Sequence, residues 1–366
     1  MKELNSSKTY MKDFPASGKT FILTGKNGTG KTRLLEAYTC EILKKNNIGN
    51  VICLSGTVLD RFPITTNNIN SDNSYIYLGK KTNNNMFSEI APYRRIFTYL
   101  LNRDTPKWES RALIASQLLS KIGLGNVIKF KFRAGRNKRI NLDGANRDLK
   151  IHLDAQHEFN RPMEIERLTQ VDGSELHISG VFIEKNGVIY DIADLSSGER
   201  CYALVIISMA FCTADRSVVL FDEPENSMHP KWQLSLISDM WEILNFIDVN
   251  AKIIIATHSP LVSTSSRNES TYLLSLDEDS DWTKSNLFGH TSDNILKIQF
   301  GLNSARSNSF IVKVNNCLSS LLRLGDAPDE FKRHADILLS EKINIGIDDV
   351  LFDTIEEIKK IRRELQ

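Results

Sequence analysis

The sequence predicts an α/β fold with a mainly parallel core sheet, an antiparallel β portion and an inserted mixed helical and β subdomain. Three observations predict it. Short apolar runs rich in β-branched residues, "TFILT" (20–24), "SVVLF" (217–221) and "KIIIA" (252–256), have the length and composition of buried strands. Each runs into a polar loop and then toward a segment of helical periodicity, the alternation that builds parallel sheets. The middle third instead carries short strand signals in succession, which points to antiparallel pairing.

Taken in order, 20–24 reads as a strand entering a Gly-rich loop, with a helix from Lys31 to about Lys44 and a second strand in "NVICLSG". From Asp60 to Asn85 the chain is rich in Asn, Ser and Thr, and reads as loop around one short strand, a candidate mobile or partner-contacting segment. Helical patterns follow over Ser88 to Leu101 and Pro106 to Ile122. In "VIKFKFRAGRNKRINL", Ile128, Phe130 and Phe132 alternate with Lys129, Lys131 and Arg133, so one face of a strand is apolar and the other basic. More strands in "LHISGVFIEKNGVIYDI" lead to the turn "ADLSSGER", a helix to about Thr213, the strand ending in "DEPE", a helix from Pro230 to about Phe246, and the strand ending in "ATHSP". The implied organisation is an N-terminal core part (1–58), the inserted subdomain (59–185), a C-terminal core part (186–290) and a helical extension (291–366). In that extension Leu351, Ile355, Ile358, Ile361 and Leu365 form an apolar stripe suited to packing on protein.

Composition narrows the class. The 366 residues are 41% hydrophobic and 25% charged, enough to bury a sizeable core, and the 46 basic residues nearly cancel 45 acidic ones, so any nucleic-acid role needs a local patch. Five cysteines without metal-ligand spacing suit a reducing compartment. The start "MKELNSSKTYMKDFP" has no apolar signal core, and the uncharged run from Cys201 to Ala214 is too short to span a bilayer; the expectation is a cytoplasmic chain with no membrane partner.

Three strand ends carry chemistry. "GKNGTGKT" fits G-x-x-x-x-G-K-[ST] between a strand and a helix. Gly25, Gly28 and Gly30, with Asn27 among them, free backbone N–H groups for phosphate oxygens; Lys31 would reach the β- and γ-phosphates of ATP and Thr32 would ligate Mg²⁺. Asp222, at the end of an apolar strand, would hold the same Mg²⁺, and Glu223 would deprotonate the attacking water. His258 ends a third strand and would contact the γ-phosphate. The turn "ADLSSGER" reads locally as a helix cap on Ser196 or Ser197.

Together and in this order, "GKNGTGKT", "LSSGE", "DEPE", "NSMHP" and "ATHSP" resemble the nucleotide-binding head of an ABC-type ATPase. "DEPENSMHP" is more similar to the soluble branch, which holds the structural-maintenance-of-chromosomes and recombination-repair ATPases, the overcoming-lysogenisation-defect proteins and the Septu-type phage-defence ATPases. The resemblance implies a P-loop ABC-type ATPase head that uses ATP and Mg²⁺, with Lys31, Glu223 and His258 catalytic. It implies that Ser196, Ser197 and Gly198 bind the γ-phosphate of ATP held by another subunit, so that two copies form a homodimer around composite sites. Asn226 to His229 would then cross the interface, and Tyr10 or Phe14 would stack on adenine. The family's Gln after the second strand is missing, with Ser55, Thr57 or a water as the substitute. A separate effector, a nuclease or toxin in bacterial anti-phage defence, is the expected partner.

Two other readings follow from the residues. The cations Lys129, Lys131, Arg133, Arg136, Lys138 and Arg139 can follow a phosphate backbone, as in a DNA-repair clamp, or can form the solvated face of a hairpin. An ATP-binding scaffold with little turnover is the other alternative. Asp277, Asp279 and Asp281 read as a solvated loop rather than a metal cluster.

Overall fold

The computed structural model describes residues 12–64, 74–83, 85–134, 148–153, 176–264, 270–277, 281–287, 306–325, 327–341, 343, 345, 346, 349 and 351–365. The elements are, in order, β1 Thr20–Thr24, α1 Lys31–Ile42, β2 Val51–Ser55, β3 Tyr75–Leu78, β4 Lys81–Asn83, β5 Met86–Phe87, α2 Ala91–Leu101 and α3 Trp108–Lys121. Then come β6 Leu124–Ala134, β7 Asp148–His152, β8 Leu176–Lys185, β9 Val188–Asp191, α4 Ser197–Cys212, β10 Val218–Asp222 and α5 Pro230–Phe246. The chain continues through β11 Lys252–Ala256, α6 Pro260–Thr264, β12 Thr271–Ser275, β13 Thr283–Lys284, α7 Asn308–Leu321, α8 Pro328–Leu339 and α9 Phe352–Glu364. It divides into two compact units, residues 1–300 and 301–366.

In the larger unit a seven-stranded sheet runs β13-β12-β1-β11-β10-β2-β3 among the described residues, parallel throughout except at the β13 edge. β1, β2 and β10 are buried at every position, as strands covered on both faces must be. On one face, α1 closes a cluster that includes Phe21, Leu35, Tyr38 and Ile254; on the other, α2 to α5 bury Phe97, Trp108, Phe211 and Phe221. Each such side chain contributes roughly 1.5–3 kcal/mol of burial. Arg111 is buried in α3 because its guanidinium donates to the carbonyls of Ala210 and Thr213, which end α4 (2.5 and 3.0 Å).

The antiparallel portion is a separate four-stranded sheet, β7-β6-β8-β9. Ile128, Phe130 and Phe132 are buried and Lys131 and Arg133 exposed, as the alternation predicts. The segment 59–185 also supplies β3 to the parallel sheet, so its strand is an integral edge of the core rather than part of a separate layer. The Asn-rich stretch is correspondingly more ordered than its composition suggests: Asp60, Phe62, Ile76, Tyr77 and Leu78 are buried, while residues 65–73 lie outside the described residues.

In the smaller unit, α7, α8 and α9 pack Val314, Cys317, Phe331, Leu338, Ile355 and Ile358 into one core, with Ile361 and Leu365 against it. The expected apolar stripe thus packs on its own unit. Among the described residues no helix is long and apolar enough to cross a membrane.

Candidate nucleotide site

β11 lies between β1 and β10, so the loops leaving these three strands meet at one edge. The loop after β1 is built by glycine: Gly25, Gly28 and Gly30 have φ of 146°, 86° and 97°, values that L side chains avoid. Gly30 is also the N-cap of α1, and no side chain caps that helix. Its leading N–H groups therefore face the cleft without an internal acceptor side chain, the arrangement that binds anions.

Lys31 opens α1 with only 4% of its surface exposed. Its ammonium donates to the carbonyls of Gly25 (2.9 Å) and Lys26 (3.2 Å), and His258 Nδ1 stands at 3.3 Å. Burial lowers its pKa, against the opposing charges of Glu223, Glu225, Asp222 and Asp277. Thr32, one residue on, donates to both oxygens of Asp222 (3.1 and 3.0 Å), spanning the intervening strand. Asp222 has no exposed surface, and burial pushes its pKa up to about 7, although the Thr32 bond opposes this.

Glu223 adopts a left-handed backbone, φ 47°. That turn brings its carboxylate to His258 Nε2 (3.1 Å) and Asn226 Nδ2 (2.5 Å), and the His258 hydrogen bond is the main reason its pKa is lowered. With Lys31 donating to Nδ1, His258 is the Nε2–H tautomer and donates to Glu223. Glu225 accepts from the Thr257 hydroxyl (2.8 Å) and from the His258 backbone N–H, which fixes the loop that carries the imidazole. Burial raises the Glu225 pKa.

Gly56, just past β2, donates its N–H to the Asp222 carbonyl (2.9 Å) and accepts from Ser227 Oγ at 2.6 Å. A Cβ at Gly56 would lie 2.1 Å from the Glu223 carbonyl oxygen, so the approach admits only glycine.

These groups edge a cleft of about 530 Å³ lined by Asn27 to Leu34, Arg61, Glu223, His258 and Leu276. Its size is that of a small-molecule site. Lys31, Thr32, Asp222, Glu223 and His258 are brought together as expected. Ser196, Ser197 and Gly198 do not line the cleft. Ser196 is the N-cap of α4 in a capping box, with Glu199 accepting from its N–H (3.0 Å) and hydroxyl (2.9 Å) while Lys185 holds the other Glu199 oxygen at 2.7 Å. Ser196 and Ser197 are exposed; Gly198 is buried.

Several expectations change. Phe14 lies outside the cleft lining, packed among Phe21, Tyr38 and Trp282 with ring centroids 4.6, 4.5 and 5.5 Å away; Tyr10 lies outside the described residues. Ser55 and Thr57 bond each other (2.8 and 3.1 Å) rather than lining the cleft, and Arg61 reaches it instead. Asp277 is no free loop acid, since both its oxygens accept from the Lys26 N–H (3.0 and 3.1 Å). Asp281 pairs with Lys12 at 3.1 Å, and Asp279 lies outside the described residues. On the basic strand Lys129 pairs with Asp148 at 2.6 Å and lies opposite Lys150 of β7, while Lys131, opposite Asp148, and Arg133 are exposed; Arg136, Lys138 and Arg139 lie outside the described residues. No group of three or more His, Cys, Asp or Glu suited to a metal occurs among the described residues.

A family model described as "AAA domain, putative AbiEii toxin, Type IV TA system" matches residues 100–265. The match includes the Ser196 turn, Asp222, Glu223 and His258, and begins beyond the Gly25–Thr32 loop. No curated protein matches the chain. Among solved structures it is similar to the "Crystal structure of the SmcHead bound to the C-winged helix domain of ScpA", at 11% identity and a TM-score of 0.35, covering 71% of this chain and 86% of that one.

Proposed function

We propose that this chain is an ATPase that binds Mg-ATP in the Gly25–Thr32 cleft. The observation that carries the reading is the convergence at one sheet edge of two hydrogen-bonded sets on adjacent residues, Lys31–His258–Glu223 and Thr32–Asp222, beside that cleft. The donor set fits a hard cation: Thr32 and Asp222 are oxygen ligands already in contact, and Mg²⁺ held there would neutralise charge on the phosphate oxygens. Lys31 exchanges its loop carbonyls for the β- and γ-phosphates, and the N–H groups of the loop take the remaining oxygens. Glu223, kept ionised by His258 and Asn226, accepts a proton from the attacking water. His258 orients Glu223 through its Nε2–H, and donation from it to the γ-phosphate once Lys31 has moved requires a proton on Nδ1.

The exposed Ser196 turn supports a homodimer with composite sites: it is a helix N-terminus outside its own cleft, which meets the ATP of a second copy under C₂ symmetry once its hydroxyl turns from Glu199. ATP closes such a dimer and hydrolysis reopens it, and the closure switches a separate effector, a nuclease or toxin. The setting proposed for this switch is bacterial anti-phage defence; the family description names a putative toxin and a toxin–antitoxin system. A second reading, nucleic-acid contact, is favoured by exposed Lys131, Arg133 and Lys150 on one face, and calls for salt-dependent binding that weakens on charge reversal.

The test is ATP binding and phosphate release by the purified chain and its Glu223→Gln variant. Retained binding with turnover reduced by at least about 100-fold is expected. A wild-type chain that does not bind ATP overturns the reading, and unchanged turnover in Glu223→Gln removes the catalytic assignment.

A further inference from the structure

We propose that Asp277 is a positioning residue for the phosphate loop, holding Lys31 in its resting place through the Gly25–Lys26 peptide and so setting how readily the cleft accepts a nucleoside triphosphate. The inference rests on the nucleotide reading of the cleft, and adds to it a carboxylate from 251 positions along the chain.

β12 runs parallel to β1 up to the pair Thr24 and Ser275, and the Leu276 N–H donates to the Thr24 carbonyl at 2.9 Å. Beyond that rung the two chains part. A continuing ladder would offer the Lys26 N–H a backbone carbonyl. It meets the Asp277 carboxylate instead, at 3.0 and 3.1 Å.

The N–H of Lys26 and the carbonyl of Gly25 belong to one peptide unit. That carbonyl accepts from Lys31 Nζ at 2.9 Å. Carboxylate, peptide and ammonium therefore form one polarised chain, in which each bond strengthens the next, by roughly 10–30% in condensed phase. Lys31 has its other contacts at the Lys26 carbonyl and His258, so its three donors are all engaged inside the protein. A triphosphate must win Lys31 from these acceptors.

Asp277 thus acts in two ways that oppose each other. Its hydrogen bond fixes the entry of the loop and favours binding by keeping the loop shaped. Its charge strengthens the hold of the Gly25 carbonyl on Lys31 and repels an incoming polyphosphate, so it disfavours binding. Asp277→Asn keeps an oxygen acceptor for the Lys26 N–H and removes the charge, whereas Asp277→Ala removes both.

The experiment measures binding of a non-hydrolysable ATP analogue at low and high salt, with Lys31→Ala as control, and backbone amide exchange over the peptide containing Gly25 and Lys26 in the nucleotide-free chain. Asp277→Asn is expected to bind about threefold to tenfold tighter than wild type at low salt, the difference shrinking as salt screens the exposed charge. Asp277→Ala is expected to exchange the Lys26 amide faster and to bind more weakly than Asp277→Asn. Purely structural support would make both variants bind more weakly than wild type. Tighter binding by Asp277→Asn supports the proposal; equal or weaker binding overturns it. Wild-type exchange in Asp277→Ala overturns it whether or not nucleotide binds. If wild type binds the analogue no better than Lys31→Ala, the nucleotide reading itself falls and the proposed control of triphosphate entry falls with it; exchange then reports separately on the anchoring of the loop.

Discussion

Two glycine-containing turns at helix N-termini, those of α1 and α4, are finished in opposite ways. The α1 turn has no side-chain cap and keeps a buried lysine at its first helical position. The α4 turn is closed by its own carboxylate: Glu199 occupies the N–H and hydroxyl of Ser196, and Lys185 balances the charge. The first presents uncapped helix N–H groups with a buried cation beside them. The second already holds an anion, an internal one. The comparison teaches that an N-terminal helix dipole does not by itself define a ligand site; what matters is whether the chain has satisfied the turn from within. For the Ser196 turn to meet a phosphate from a second copy, its hydroxyl must turn from Glu199.

The largest effect that would break this contrast is at Lys31. Lys31→Ala should weaken ATP binding at least about 100-fold, since a charge-assisted contact to phosphate is lost at a desolvated position; calorimetry checks this, and near-normal affinity would mean that the α1 turn is no better an anion site than the α4 turn. Next is the pH dependence of stability in the absence of nucleotide and metal. Asp222 has its folded pKa raised to about 7 by burial, so the folded chain holds a proton that the unfolded chain releases, and stability falls as pH rises from about 4 to about 7. The span is at most about 4 kcal/mol. Denaturant unfolding in EDTA should show this fall, and Asp222→Asn should flatten it.

Ser196→Arg sharpens the other side. It should leave ATP affinity of the single chain within about twofold while abolishing ATP-dependent dimerisation in a Glu223→Gln background, as read by sedimentation. Normal assembly would remove the composite site. Smallest is the cap: Glu199→Ala should cost about 1 kcal/mol of stability, measured by thermal unfolding, without altering ATP affinity.

Much of this was legible because it is local. The strand, Gly-rich loop and lysine of 20–32 are contiguous, and the ends of the helix Pro230–Phe246 follow from a proline at its first turn and an apolar stripe. Asp222, Glu223 and His258 were legible because buried strands deliver their last residues to one edge. What was hidden is long-range. Asp277 acts on a loop it meets only through the pairing of β12 with β1, and its polar neighbourhood looks like any solvated turn. Arg61 follows a buried Asp60, held by the Tyr77 hydroxyl (2.9 Å) and the Phe62 N–H (3.2 Å), within a stretch whose Asn and Ser content masks a core edge strand. Phe14 offered only its ring type, which fits an aromatic cluster as well as an adenine.

Gly56 joins the sheet's outer half to the strand end that carries Asp222 and Glu223. Its peptide bonds simultaneously to Asp222 on one side and Ser227 on the other, with no room for a side chain against Glu223. The close approach therefore leaves this junction no slack for any residue larger than glycine. A side chain at position 56 would push on the Glu223 backbone, so the exit of β2 sets where the Glu223 carboxylate stands relative to His258.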